Sequence, residues 1–168
     1  MITSTWVIVP RIKVTIMLGT WPQLAPPHKA AVRGRLLPTS LAEWQIGYRH
    51  VQSLGGLRGH RGEQGLSPNR YWQNRSFRNY ADYTATAAFR AGLAELRDLG
   101  RTHVCAVMCA EAVWWRCHRR IIADYLVAEG ERVFHIMGER KVEPVRITPS
   151  AVLQYDGTLI YNGSTSEK

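Results

Sequence analysis

The sequence predicts a single α/β domain with a mainly parallel sheet flanked by helices. Three observations carry that prediction. An apolar run, His103 to Met108, is followed by an amphipathic stretch and then by a second apolar run, Arg132 to Met137, so strand, helix and strand succeed one another. Upstream, Phe89, Leu93 and Leu96 recur at helical spacing between Thr86 and Leu99. A chain of 168 residues with 45% apolar and 21% charged residues has the length and composition of one globular domain with its own core.

Residues 1–35 read as an atypical or disordered N-terminal segment. Strands fit at Trp6 to Val9 and Lys13 to Leu18, but Pro22, Pro26 and Pro27 follow, with a basic stretch through His28, Lys29, Arg33 and Arg35. The first 42 residues hold five Lys or Arg and not one Asp or Glu. Two accounts stand: a basic arm that binds nucleic acid, or sequence not selected as protein, as after a misassigned start or a frame change. Without acids, caps or an amphipathic stripe, the segment is expected to be removable without unfolding the rest.

Residues 36–162 have the texture of an α/β domain, and residues 163–168 are expected to form a disordered tail. Thr39 or Ser40 caps a short helix, supported by Glu43 and ending at Gly47. Tyr48 to Val51 alternates as a strand. Ser53 to Asn69 holds six Gly or Pro with Arg58, His60 and Arg61, a long surface loop that is either functional or a solvated connection. In Tyr71 to Tyr83 aromatic residues alternate with Arg75 and Arg78, and Phe77, Tyr80 and Ala81 share a helical face, for core packing or for stacking on a base.

Thr86 opens the helix that runs to Leu99. His103 to Met108 reads as a strand buried on both faces, and Arg116 to Ala128 as the crossover helix, with Ile121, Ile122, Tyr125 and Leu126 as its stripe and Gly130 as its C-terminal cap. A right-handed crossover makes the strands at 103–108 and 132–137 parallel neighbours. Val152 to Tyr161 reads as a hairpin turning at Asp156-Gly157.

No apolar run reaches membrane-spanning length, since the best candidate, Trp6 to Leu18, is broken by Pro10, Arg11 and Lys13; no membrane partner is expected. Three cysteines without a disulfide framework point to free thiols in a reducing cytoplasm. A net charge of +9 suggests an anionic small molecule or a nucleic acid as partner, although residues 43–168 balance 17 basic against 13 acidic side chains. Oligomeric state is not legible.

The chemistry concentrates at residues 109–120. Cys109 ends a strand and faces a helix start rich in arginine, which would lower its pKa and supply thiolate. Cys109 and Arg116 are arranged as in the cysteine phosphatases, but with one more intervening residue and with the bulky Val113-Trp114-Trp115 in place of a small-residue phosphate loop. Cys109 is then a nucleophile, a non-nucleophilic site thiol or a core residue. Glu111 reads as a general acid or base, or as half of a salt bridge. Arg116, Arg119 and Arg120 read as an anion clamp or as a solvated helix face, the latter above all for Arg120, and Arg78, Arg116 and Arg119 are the candidate anion contacts. Of Trp114 and Trp115, one is expected in the core. Neighbouring helical positions 117 and 118 point about 100° apart, and no paired C-x-x-C is present, so no metal and no cofactor are expected.

Three segments, Leu54 to Gly59 (LGGLRG), Trp72 to Tyr83 (WQNRSFRNYADY) and Met108 to Arg119 (MCAEAVWWRCHR), carry a family resemblance. From about Leu37 onward the chain resembles the bacterial, uncharacterised family called domain of unknown function 488. The resemblance implies an α/β domain whose site is formed by the three segments. The expected reactive residues are Cys109 and Glu111, and the expected ligand contacts are Arg58, Trp72, Asn74, Phe77, Arg78, Tyr80, Trp115, Arg116, Cys117, His118 and Arg119. Relatives open with a T-I-G-H-like strand and a V-D-V-R-like strand, neither of which stands in residues 1–35, so the family's first strands are expected to be missing or replaced. Three functions follow as expectations: an enzyme acting on a nucleotide or nucleic acid through a strand-end cysteine, a non-catalytic nucleic-acid-binding module, or a truncated, inactive copy.

Overall fold

A computed structural model describes residues 6–8, 14–18, 37–59, 67–109, 111, 114–138 and 141–163. Helices and strands alternate along it, as the α/β reading expects. Strands β1 (Trp6–Ile8) and β2 (Val14–Leu18) are followed by helix α1 (37–43), β3 (Gly47–Val51) and a 3-10 turn (Gln52–Leu54). Then come α2 (Arg75–Tyr83), α3 (Ala87–Thr102), β4 (Cys105–Met108), a 3-10 turn (Trp114–Arg116) and α4 (Arg119–Ala128). The chain closes with β5 (Phe134–Gly138), β6 (Lys141–Pro144), β7 (Ala151–Leu153) and β8 (Leu159–Tyr161).

One sheet has the order β3-β2-β4-β1-β5-β6, and β7 pairs with β8 in a separate ribbon. The expectation of a mainly parallel sheet is corrected. Within the larger sheet β2 pairs in parallel with β3 and with β4, while β1–β4, β1–β5 and β5–β6 are antiparallel. The crossover does make β4 and β5 run the same way, yet they are not neighbours. β1 lies between them, with Val7 opposite both Val107 and His135. β5 and β6 are joined too closely for a crossover, so their pairing has to be antiparallel.

Two strands thus come from the first 35 residues, close to where the sequence admitted them, and β2 is an inner strand between β3 and β4. The remainder of residues 1–36 lies outside the described residues, as do residues 60–66 of the glycine-rich loop and residues 164–168 of the tail.

The helices follow their local chemistry. Asn74 caps α2 by accepting the Ser76 N–H at 2.8 Å, and Thr86 caps α3 by accepting from Phe89 at 3.2 Å. α1 begins ahead of the expected caps Thr39 and Ser40. It ends where Gln45 turns to φ 55°, with Ile46 N–H donating to the Leu41 carbonyl at 2.9 Å. α4 ends at Gly130, whose φ of 82° suits a residue without Cβ, and Glu131 N–H closes back on the Leu126 carbonyl at 2.9 Å. At its other end α4 starts at Arg119, three residues later than expected.

Leu54, Tyr80, Phe89, Ile121, Ile122, Leu159 and Tyr161 form the centre of the core. Beside it a polar network ties the helices to the β7–β8 ribbon. Asp82 accepts from Ser67 and Asn69, Asn69 accepts the Tyr161 N–H, and Tyr161 donates to Asp124, which also takes the Thr148 N–H at 2.9 Å. Burial raises the Asp124 carboxyl pKa, against the Thr148 and Tyr161 hydrogen bonds and the Arg120 charge.

Candidate functional site

β4 delivers Cys109 to the end of the sheet, and the 3-10 turn at Trp114–Arg116 brings the chain back over it. The outcome is a sulfur pair: Cys109 Sγ and Cys117 Sγ lie 2.9 Å apart, both buried and both free of disulfide. Around them the N–H of Glu111 donates to Cys109 Sγ at 3.3 Å, while Arg119 donates to Cys117 Sγ from its backbone N at 3.5 Å and from Nε at 3.3 Å. His118 Nδ1 lies 3.5 Å from the same sulfur.

The two thiols are driven apart in acidity. The hydrogen bond it gives to Cys117, reinforced by burial, pushes the Cys109 thiol well above the ordinary range. Burial acts upward on Cys117 as well, but the Cys109 and His118 hydrogen bonds and the His118 and Arg119 charges outweigh it and bring that thiol well below the ordinary range. The expectation that Cys109 carries the lowered pKa is corrected. α4 begins beyond Cys117, and its leading N–H and guanidinium serve Cys117.

Arg119 is 0% exposed. Its Nη2 donates to the Glu111 carbonyl at 2.7 Å, which fixes the residue-111 backbone over the sulfurs. Glu111 shapes the site through its main chain, with its carboxylate exposed. Arg119 is engaged inside the fold, so the expected clamp of Arg116, Arg119 and Arg120 is not assembled. Arg116 is exposed, and Arg120 donates to Thr148 Oγ1 at 3.2 Å and lies over the Trp72 ring.

The three motif segments do meet. Tyr80, from α2, lies against the His118 ring with centroids 4.9 Å apart and donates its hydroxyl to the Leu54 carbonyl at 2.9 Å. Gly56 packs close to the same ring: a Cβ there would come within 2.2 Å of His118 Nδ1, so this glycine is required by the imidazole. Arg58 donates to the Gln52 and Ser53 carbonyls, and its guanidinium stands 3.9 Å from the Tyr83 ring centroid.

Other expected ligand contacts have work within the fold. Trp72 is buried and stacked on Phe77 with centroids 5.0 Å apart, Arg78 donates twice to the Trp72 carbonyl, and Asn74 is the α2 cap. Of the loop tryptophans, Trp114 is the inner one, stacked on His135 at 3.9 Å, while Trp115 is 48% exposed.

The sequence reading weighed Cys109, Cys117 and His118, with His103 or His135, as a metal set and set it aside, but the three do converge. One sulfur from each cysteine and a ring nitrogen lie within 4.8 Å of one another. The argument that positions 117 and 118 diverge assumed both were helical, and they sit in the turn before α4. The eight-residue spacing of Cys109 and Cys117 matches no local period, so only the reversal of the 3-10 turn reveals it.

Residues 21–126 match the family model described as Domain of unknown function DUF488. The match covers more than half of the chain and all three motif segments. No curated protein and no solved structure matches.

Proposed function

The chain belongs to the family described as domain of unknown function DUF488, and we propose that it is an enzyme whose reactive group is the Cys117 thiolate, acting on an anionic ligand, a nucleotide or a nucleic-acid strand. The observation that carries this reading is the set of donors on one sulfur. Cys117 Sγ faces the Cys109 thiol at 2.9 Å and the Arg119 Nε–H at 3.3 Å, an arrangement that holds negative charge on sulfur in the interior. Cys109 is then the proton partner and Cys117 the nucleophile, the reverse of the roles expected from strand-end position. Glu111 remains a candidate acid or base only through its exposed carboxylate.

The anionic class rests on the net charge of +9 and on Arg116 and Trp115, neighbours in sequence that are both exposed in the turn just before Cys117. Cys117 is 1% exposed, so an electrophile reaches it only after local opening of the fold around it. Three free thiols suit a reducing cytoplasm, and no helix among the described residues is long and apolar enough to cross a membrane.

Labelling with iodoacetamide tests the reading. Modification at Cys117 that persists well below pH ~8.5 and slows on adding a nucleotide or oligonucleotide supports it; labelling that rises only above that pH removes it. The same basic surface also favours a non-catalytic nucleic-acid module. That reading predicts binding that weakens steeply with salt and is indifferent to Cys117→Ser.

A further inference from the structure

We infer that Cys109, Cys117 and His118 form a binding site for one borderline-soft divalent cation, Zn2+ by its donor set. The inference stands on the geometry of three ligand atoms, whatever the enzyme acts upon.

Zinc held tetrahedrally at about 2.3 Å from sulfur and about 2.0 Å from nitrogen requires its ligands to stand about 3.5 to 3.8 Å apart. Cys117 Sγ and His118 Nδ1 are already 3.5 Å apart. The two sulfurs, at 2.9 Å, have to open by somewhat less than about 1 Å, and the whole triangle lies within 4.8 Å. Two thiolates and an imidazole select Zn2+ over the hard cations Mg2+ and Ca2+, which take oxygen.

The surroundings fit a metal's outer sphere. Glu111 N–H donates to one sulfur, and Arg119 N–H and Nε–H donate to the other; such bonds orient thiolate ligands and share their charge. Gly56 and Tyr80 both pack against the imidazole. Binding is balanced in protons: the cation takes both sulfurs as thiolates and the imidazole as its neutral form, and whatever protons these three groups carry pass to solvent. Three protein ligands leave the fourth position to water or to an atom of a ligand, the pattern of catalytic zinc centres. An occupied site makes Cys117 a ligand and removes it as a nucleophile.

The test uses the full chain, reduced, stripped by a chelator and titrated with Co2+ and then Zn2+. One equivalent of Co2+ is expected to give thiolate-to-cobalt charge-transfer absorption that Zn2+ displaces. Cys109→Ser and Cys117→Ser lose the absorption, and His118→Ala binds at least tenfold more weakly. Gly56→Ala, which keeps all three ligands but displaces the ring, weakens binding by about 10- to 100-fold. Cys105→Ala, a buried thiol outside the cluster, retains the absorption, and a thermal transition of each metal-free variant separates lost ligation from lost fold. No charge-transfer absorption in the unsubstituted protein, or absorption unchanged in a folded Cys117→Ser, overturns the inference. Neither result bears on the thiolate reading, which is measured without metal.

Discussion

Cys109 and Cys117 hold their sulfurs 2.9 Å apart, and their thiols are pushed in opposite directions, Cys109 up and Cys117 down. The difference lies in what each sulfur faces. Among the described residues Cys109 receives one backbone N–H, whereas Cys117 receives two donors from Arg119 and faces an imidazole. The residue that ends the strand therefore has the raised thiol pKa, and the residue before α4 the lowered one.

Arg119 supplies the compensating charge, so its removal leaves a buried thiolate without its main partner. Arg119→Met is expected to destabilise the fold by about 3 to 5 kcal/mol and to raise the Cys117 titration midpoint. Arg119→Lys keeps the charge but loses the fork that serves Cys117 and the Glu111 carbonyl together, and should fall between. Denaturant unfolding at neutral pH checks this, and a loss under about 1 kcal/mol for the Met variant would contradict it.

His135 makes stability depend on pH. Its ring is stacked on Trp114, 3.9 Å between centroids and 12° between planes, and burial, aided by the Arg119 and Arg120 charges against that of Glu143, lowers its pKa to about 4. The unfolded chain takes up the proton near pH 6.5, before the folded one does. The stabilisation is therefore complete above about pH 6.5 and is lost as pH falls toward about 4, by at most about 3 kcal/mol. His135→Phe, which keeps a stacked ring, should flatten this part of a stability-versus-pH curve. An unchanged slope in that variant would assign the dependence to other groups.

Removing residues 1–18 takes away β1 and β2, both inner strands, and leaves facing edges of β3, β4 and β5 without partners. The truncated chain is expected to lose its cooperative thermal transition. A transition preserved in midpoint and enthalpy would mean that residues 19–168 fold without β1 and β2.

Where chemistry is local, the sequence was a good guide. The caps at Thr86 and Gly130, the stripe of α4 and the turn at Asp156-Gly157 act within a few residues, and the structure has them. Pairing between β1, β4 and β5 was not legible, because periodicity says that a run is extended and buried but not which distant run lies beside it. The candidate site was misread for two particular reasons. An arginine in a sequence shows its charge but not the carbonyls that will take its donors, and Arg78 and Arg119 both found such carbonyls. Positions 117 and 118 diverge only on a helix, and α4 starting at Arg119 leaves them in a turn where Cys117 Sγ and His118 Nδ1 approach to 3.5 Å.

The central claim is that Cys117, held by Cys109 and Arg119, is a thiolate near neutral pH. Ultraviolet absorbance of the thiolate, followed against pH in the reduced, metal-free protein, reads that charge whether or not a reagent can reach the sulfur. The account predicts one thiolate formed well below pH ~8.5, present in Cys109→Ser at a higher midpoint because a hydrogen-bond donor has weakened, and absent from Cys117→Ser. Titration of all three thiols at or above pH ~8.5, or a low-pH thiolate that survives Cys117→Ser, would contradict it.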